Sequence, residues 1–279
     1  MRADIVEYLR CPVCHARLAA EPAALRCPRG HGFDLARHGY ADLTAGRVTH
    51  AGDTADMVAA RAALLGAGHF QVLTEALAAA ADRGGGGAGA GLVVDVGAGT
   101  GHHVAGLLDA HPDDVGLAID VSKPALRRAA RAHPRLAAVR ADAWRGLPVG
   151  DGAAGTVLNV FAPRSGPEFH RVLRADGVLV VATPAAEHLA ELVDALDLVR
   201  VDPAKSRRLS DTLRPWFTRV DSRQYRWELR LSADEAATAV AMGPSAHHTD
   251  PTRLAATLAR RPTPISVTAA VDVSRWRPT

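Results

Sequence analysis

The stretch that most restricts what this chain can become is Leu92-Val93-Val94-Asp95-Val96-Gly97-Ala98-Gly99-Thr100-Gly101. It opens on an apolar β-branched run, the composition of a buried strand, with one aspartate inside the strand end. Glycine then takes every second position, which frees the backbone to turn sharply and to approach a ligand closely. Val104, Leu107 and Leu108 follow at helical spacing. Strand, glycine loop and helix in this order predict the first turn of an open α/β sheet, where ligands bind beyond the carboxyl ends of the strands.

Glycine spacing separates two ligand classes. A dinucleotide site needs G-x-G-x-x-G, because the pyrophosphate sits on the helix N-terminus. Counted from Gly97, the third glycine of that pattern would fall at His102; here it comes one place early, at Gly101. A ligand that is an amino acid joined to a nucleoside has no phosphate to cradle. Glycines let the backbone touch its amino-acid part, and a carboxylate receives its ammonium group. The D-x-G-x-G-x-G order resembles the first motif of the class I S-adenosylmethionine-dependent methyltransferases. The next strand pattern ends at Asp120, nineteen positions after Gly101, where an acid meets ribose hydroxyls. A third ends at Asp142. The resemblance implies a cofactor site from Asp95, Gly97, Gly99, Thr100, Gly101, His102 and Asp120, with Asp142 and Ala143 at the adenine.

All three cysteines lie in the first 27 residues, and with one histidine they read C-x2-C-x12-C-x3-H: Cys11, Cys14, Cys27 and His31. Four such ligands suit a tetrahedral zinc ion with no position left for water, hence a structural role. An odd cysteine count in a reducing compartment argues against disulfides. His15 competes as fourth ligand, but His31 has the better spacing.

With 279 residues, the chain has room for one large domain and a small one, and a net charge of +3 does not by itself advertise nucleic acid. No apolar run approaches the roughly 20 residues of a membrane span, and the N-terminus lacks a signal-peptide core. A cytoplasmic protein without membrane partners is expected. We divide the chain into a zinc-binding module (1–45), a helical lead-in or lid with a glycine-rich linker (46–91) and a methyltransferase domain (92–279). In the lead-in, helices are expected over 54–65, capped by Asp53 or Thr54, and over 69–80. Residues 155–163 form a fourth strand and its exit, making Asn159, Phe161 and Pro163 candidates for contacting a flat substrate. Phe161 would stack on a base drawn out of its helix. A fifth strand at 178–182 precedes a helix starting at Thr183-Pro184 and carrying His188. Strands six and seven, at 225–231 and 265–273, complete a Rossmann-like, seven-stranded α/β fold. Between Arg200 and Arg230 nine basic residues face four acidic ones, with Trp216, Phe217, Tyr225 and Trp227 among them. That mixture suits RNA and equally describes a half-buried strand with a solvated face. His247-His248 reads as exposed loop.

Further segments carry a closer resemblance: Gly52-Asp53-Thr54-Ala55-Asp56-Met57, Ala60-Arg61, Gly68-His69-Phe70, Phe161-Ala162-Pro163, Ala182-Thr183-Pro184 and His188-Leu189. With the zinc knuckle in front, the chain resembles the 23S ribosomal RNA guanine-N1 methyltransferases over essentially its whole length. The resemblance implies methylation of a guanine in a domain II hairpin at the mouth of the peptide exit tunnel. In one branch of that family the result is resistance to tylosin and related macrolides. It also implies zinc on the four ligands, a small domain that helps recognise RNA, and a homodimer whose paired zinc modules form a cleft. Cofactor contacts map onto Thr100-Gly101, His188 and Phe70; family members can carry tyrosine at the last position, so here only packing remains. Asn159 is expected to line the cofactor site and to orient the guanine edge, and Asp53, Asp56 and His102 are candidate bases. Two other readings stay open. A small-molecule methyltransferase of antibiotic tailoring would need neither zinc knuckle nor arginine-rich segment. A non-catalytic, zinc-dependent RNA-binding protein would have no use for the intact acid and glycine set.

Overall fold

The computed structural model describes residues 1–46, 52–82, 91–198, 200, 202, 205–243 and 250–279. The glycine-rich linker and His247-His248 lie outside the described residues, as does most of the loop at 47–53. In chain order the elements are α1 (Ala3–Val6), β1 (Ala19–Ala20), β2 (Ala24–Arg26), β3 (Gly32–Asp34), β4 (Tyr40–Asp42), α2 (Ala55–Gly66), α3 (Gln71–Ala80) and β5 (Leu92–Val96). There follow α4 (His102–Ala110), β6 (Val115–Asp120), α5 (Lys123–Ala129), β7 (Leu136–Arg140), β8 (Ala154–Val160), α6 (Gly166–Val172) and β9 (Leu173–Pro184). The chain ends with α7 (Ala190–Leu196), α8 (Lys205–Leu213), β10 (Phe217–Leu231), α9 (Ala233–Ala241), α10 (Pro251–Leu258) and β11 (Ile265–Pro278).

Every residue of β5 is buried, as its valine-rich composition suits a parallel strand covered on both faces. The main sheet runs β10-β11-β9-β8-β5-β6-β7-β4. Strands β4 to β9 are parallel where they pair, and β11 is antiparallel to both β9 and β10. Chain order runs outward from β5 in one direction through β6 and β7, and in the other through β8 and β9. That reversal opens a crevice above the carboxyl end of β5.

The seven expected strands are present and an eighth joins them. Tyr40–Asp42 pairs in parallel with Ala138–Arg140 of β7; the pairing continues in the Leu43 N–H donating to the Arg140 carbonyl at 2.9 Å. Arg140 Nη1 also donates to Asp42 Oδ2 at 3.0 Å. Reading along the chain places residues 33–43 in the small module, because a three-residue strand carries no periodicity of its own. The pairing puts β4 in the large sheet, leaving β1, β2 and β3 as a separate antiparallel sheet.

Two apolar clusters cover the two faces of the sheet. On one, Leu64, Phe70, Leu73, Leu77, Val104 and Leu126 of helices α2 to α5 pack over the strands. On the other, Ile5, Leu9, Cys11 and Leu25 of the amino-terminal module share a core with Ile119, Val139, Phe169 and Trp276. Among the described residues no helix is long and apolar enough to cross a membrane.

One expectation needs correction, and one choice left open by the sequence is decided for the half-buried strand. Strand β9 does not give way to a helix at Thr183; pairing with β11 as far as Pro184 and Val271 keeps it extended. His188 therefore sits in the turn before α7. The aromatic residues of the arginine-rich segment serve the core more than the surface. Phe217 is buried, Tyr225 and Trp227 pack against the helical cluster, and the Trp227 indole donates to the His69 carbonyl at 2.9 Å. Of the four, Trp216 is the exposed one.

Because Leu43 is buried where module and sheet meet, Leu43→Ala should lower the unfolding free energy by about 2–5 kcal/mol. Denaturant titration should show one transition shared by tryptophan fluorescence and cysteine reactivity; two separated transitions would mean that the module folds on its own.

Candidate functional site

The zinc-type cluster forms where two tight turns meet. Cys11 and Cys14 come from the turn after α1, Cys27 and His31 from the turn between β2 and β3. Their ligand atoms all lie within 4.8 Å of one another. Cys11 Sγ is 3.5 Å and Cys27 Sγ 3.3 Å from His31 Nδ1, and Cys14 Sγ is 3.7 Å from Cys27 Sγ. Burial raises the Cys27 pKa, but the backbone N–H groups of His31 and Arg29 and the His31 ring bring it down to about 6, towards the ligating thiolate. His15 is not in the cluster; it closes the first knuckle with its N–H on the Cys11 carbonyl. Three thiolates and one imidazole around one point are the donor set of a structural zinc.

The second constellation stands at the crevice. Gly97, Gly99 and Gly101 all adopt positive φ, 78°, 55° and 77°, which other residues take only under strain. A β-carbon at Gly97 would overlap that of Ala162, so the glycine loop and the Phe161-Ala162-Pro163 turn lie against each other. Asp95 is fully buried, and its Oδ1 has no hydrogen-bond partner among the described residues. Burial first, and the neighbouring Asp120 second, raise its pKa to about 8. Asp120, at the end of β6, accepts from the Gly99 and Ser122 N–H groups, each at 2.8 Å; burial nevertheless raises its pKa overall. Asp142, just beyond β7, uses Oδ1 to cap the short 3-10 turn of Ala143–Arg145 through the Trp144 N–H, and its Oδ2 is buried with no partner among the described residues.

Three acids thus stand at the ends of three neighbouring strands, and two of them carry buried oxygens lacking a donor. Buried polar atoms are ordinarily paired. These two call for an ammonium and an amine, which is what S-adenosylmethionine brings, and the glycine loop supplies the close backbone approach. The residues fit that cofactor.

On the β8 side, Phe161 holds a left-handed conformation (φ 53°) with its ring 42% exposed. Its ring centroid lies 5.9 Å from that of His188. His188 in turn lies 6.3 Å from Phe70, which meets Trp227 edge-on at 5.7 Å. His188 Nδ1 accepts from the Ala270 N–H at 3.2 Å. Phe70, Phe161 and His188 therefore come together, with Phe70 buried behind the other two.

Asn159 is fully buried and behaves otherwise than expected. Both amide hydrogens are used, on the Val96 carbonyl at 3.2 Å and the Pro163 carbonyl at 2.9 Å, while Oδ1 accepts from Arg164 Nε at 3.3 Å. It ties the end of β5 to the Phe161–Pro163 turn and has no free amide hydrogen for a guanine edge. Pro163 offers an exposed ring. Of the candidate bases, Asp53 is committed to an ion pair with Arg61, and Asp56 lies exposed in the first turn of α2, where an anion suits the helix N-terminus. His102 lines a cavity of about 280 Å³ with Ala62, Leu65, Thr100, Ala105, Arg128 and Ala132; burial lowers its pKa. The sequence marks Arg61 only as part of a resembling segment, without a role, and passes over Arg164, since an isolated arginine carries no pattern.

Metal analysis of the purified chain should find one zinc, lost in Cys14→Ala together with a lowered melting temperature. His15→Ala should keep the metal; its loss there would move the fourth ligand to His15.

Residues 9–44 match the zinc-ribbon family described as RlmA, N-terminal. The chain is 54% identical to a Micromonospora griseorubida protein assigned to the 23S rRNA (guanine-N(1)-)-methyltransferases, covering 100% of each. It is 51% identical to the 23S rRNA (guanine(748)-N(1))-methyltransferase of Streptomyces fradiae, covering 100% of this chain and 99% of that one. YxjB of Bacillus subtilis (strain 168), assigned likewise, is 37% identical over 66% of each. Similar along its whole length to enzymes of this name, and carrying the zinc ribbon ahead of the glycine loop, the chain belongs to the 23S rRNA (guanine-N1) methyltransferase family.

Proposed function

We propose that the protein transfers the methyl group of S-adenosylmethionine to N1 of a guanine in the domain II hairpin of 23S rRNA at the peptide exit tunnel. The target is the counterpart of guanine 748, for which the relative from Streptomyces fradiae is named, and the outcome is macrolide resistance of the tylosin type. The observation that carries the proposal is the pair of partnerless buried oxygens on Asp95 and Asp142, flanking a glycine loop that touches the Phe161 turn. We assign residues 1–45 to RNA recognition, 46–91 to a lid and linker and 92–279 to catalysis, and we infer a cytoplasmic homodimer with paired zinc modules.

When bound, the cofactor supplies a methyl group on a positively charged sulfur, already activated for displacement. What remains for the protein is holding and aligning the reactants while N1 of the guanine gives up its proton, to solvent or to one of the candidate bases, as the nitrogen–carbon bond forms and the carbon–sulfur bond breaks. Asp95 would receive the ammonium, Asp120 the ribose hydroxyls and Asp142 Oδ2 the adenine amine, with Ala143 beside the ring. Thr100 and His102 flank the loop, and His188 and Phe70 close the site on the β9 side. A phenylalanine at positive φ costs about 1–3 kcal/mol. It is held there by the Phe161 N–H on the Ala182 carbonyl at 3.1 Å, by Ala162 against Gly97, and by Asn159 beneath. The exposed ring gives a flat face for a guanine turned out of its helix. Alignment of two reactants is worth effective molarities of roughly 10⁵–10⁸ M, and this arrangement is built to provide it.

Methyl transfer from labelled cofactor should appear on 23S RNA or ribosomal subunits, with a primer-extension stop at one guanine; label only on small metabolites would defeat the proposal. Base stacking on an aromatic ring is worth about 1–3 kcal/mol. Phe161→Ala should therefore cut kcat/KM for RNA by roughly 5- to 150-fold, with cofactor affinity within twofold of the parent.

A second expectation follows from Asp95. Its pKa of about 8 lies above the ordinary carboxylate value, so the cofactor-free protein holds that proton at pH 7 and loses stability as pH rises through the window up to about 8. An ammonium at Asp95 favours the ionised form, so binding at pH 7 should release a proton and tighten as pH approaches 8. Calorimetry in two buffers of different ionisation enthalpy measures this release. It should vanish in Asp95→Asn; an equal release there would place the proton elsewhere.

A further inference from the structure

We propose that Arg61, on helix α2, is the cation that binds the carboxylate of the cofactor's amino-acid end, and that Asp53 holds its guanidinium ready over the glycine loop. This rests on the S-adenosylmethionine reading above and adds a residue to it.

The amino-acid end of that cofactor carries two opposite charges. Asp95 answers the ammonium; none of the three strand-end acids can answer the carboxylate. Glycine-loop amides are the usual donors to an anion, and four of them are spent here. The Gly97 and Ala98 N–H groups donate to the Ile119 carbonyl at 2.8 and 3.1 Å, that of Gly101 to the Ala98 carbonyl at 2.9 Å, and that of Gly99 to Asp120. With only the Thr100 amide left in the loop, a carboxylate brought here calls for a side-chain cation to balance its charge.

Arg61 stands there. A β-carbon at Gly99 would lie 3.4 Å from Arg61 Nη1 and 3.8 Å from its Cδ, so the guanidinium rests against the middle glycine. Nη1 donates to Asp53 Oδ2, and Nη2 donates to the Met242 carbonyl at 2.9 Å, fixing the fork between the start of α2 and the end of α9. Asp53 is itself anchored, its carbonyl accepting from Ser122 Oγ at 2.8 Å, two residues beyond Asp120. The ion pair therefore bridges the cradle from the ribose acid to the glycine loop. A guanidinium has five N–H donors; these bonds use two, leaving donors for a carboxylate. The nearby histidines offer no alternative: burial drives the His103 pKa down to about 3 and lowers that of His102, so both rings are neutral at pH 7. Arg128, exposed on the cavity beside Thr100 and His102, is the rival cation.

The test is calorimetric binding of S-adenosylmethionine and of its decarboxylated form to the parent chain, Arg61→Met, Arg61→Lys and Arg128→Met. The parent should prefer the carboxylated ligand by roughly 10- to 100-fold, the range of a hydrogen bond to a charged group. Arg61→Met should bind both ligands about equally, Arg61→Lys should keep part of the preference, and Arg128→Met should keep it all. Should Arg61→Met fail to fold, an undiminished preference in Arg61→Lys would overturn the proposal. So would an Arg61→Met that weakens both ligands by one factor, which would make the residue a prop for the lid. Loss of the preference in Arg128→Met would move the carboxylate to the cavity. A parent chain that binds neither ligand would overturn the cofactor reading itself, and this proposal with it.

Discussion

A buried carboxyl group in the middle of the sheet top, one of whose oxygens has no partner among the described residues, is the constraint on which the rest of this structure depends. Removing an ionised carboxylate from water costs several kcal/mol unless it is paired, and the protein meets that cost by leaving Asp95 protonated at neutral pH. The packing around it is too complete to be accidental. The β5 strand is buried along its length, the glycine loop closes over its end, and the Phe161 turn presses on the loop at Gly97. A leucine or valine there would have served the core better. An acid in that position makes sense only if the site is completed by a positive charge.

The same close packing joins cofactor side to substrate side. Because no side chain can separate Gly97 from Ala162, the backbone of the glycine loop lies directly against the Ala162 methyl of the Phe161–Pro163 turn. Asn159 strengthens the link by bonding to the ends of both segments, Val96 and Pro163. The left-handed Phe161 is then less an anomaly than the result of turning the chain sharply enough to bring its ring to the surface while Ala162 seats on the loop.

Much of this was legible in the sequence, and what was not has identifiable causes. The order Asp95, Gly97, Gly99, Gly101 is a local pattern, and so is the spacing of Cys11, Cys14, Cys27 and His31. Both state their chemistry within a few residues. Periodicity likewise sufficed for β5, β6, β8 and α2. It could not reveal β4, since three residues contain no period and the partner strand lies about a hundred positions away. It could not show that β9 continues through Thr183-Pro184, because the ladder that keeps it extended is supplied by β11. Nor could it separate an aromatic that stacks on RNA from one that packs inward, as with Trp227, whose indole proton goes to His69. The partners of Asn159 were hidden for the same reason. Its amide is occupied by carbonyls that only the fold brings near.

The amino-terminal module is bound into this arrangement rather than tethered to it. Its zinc ligands hold two turns, its α1 residues enter the core beneath the sheet, and its β4 strand lies along β7, which leads to Asp142 at the adenine end of the crevice. Pro12 and His15 of the first knuckle line a small recess with Asp142 and Arg145, and Arg145 donates to the Ala45 carbonyl at 2.9 Å. A metal that contributes on the order of 10–16 kcal/mol to folding such a segment therefore also braces one wall of the cofactor site. An RNA bound by the module would be referenced to Asp142 through a continuous run of hydrogen-bonded strand, with no hinge between them. For a reaction that depends on alignment, rigid connection is the useful property. It explains why a structural zinc belongs in a methyltransferase whose chemistry does not need a metal.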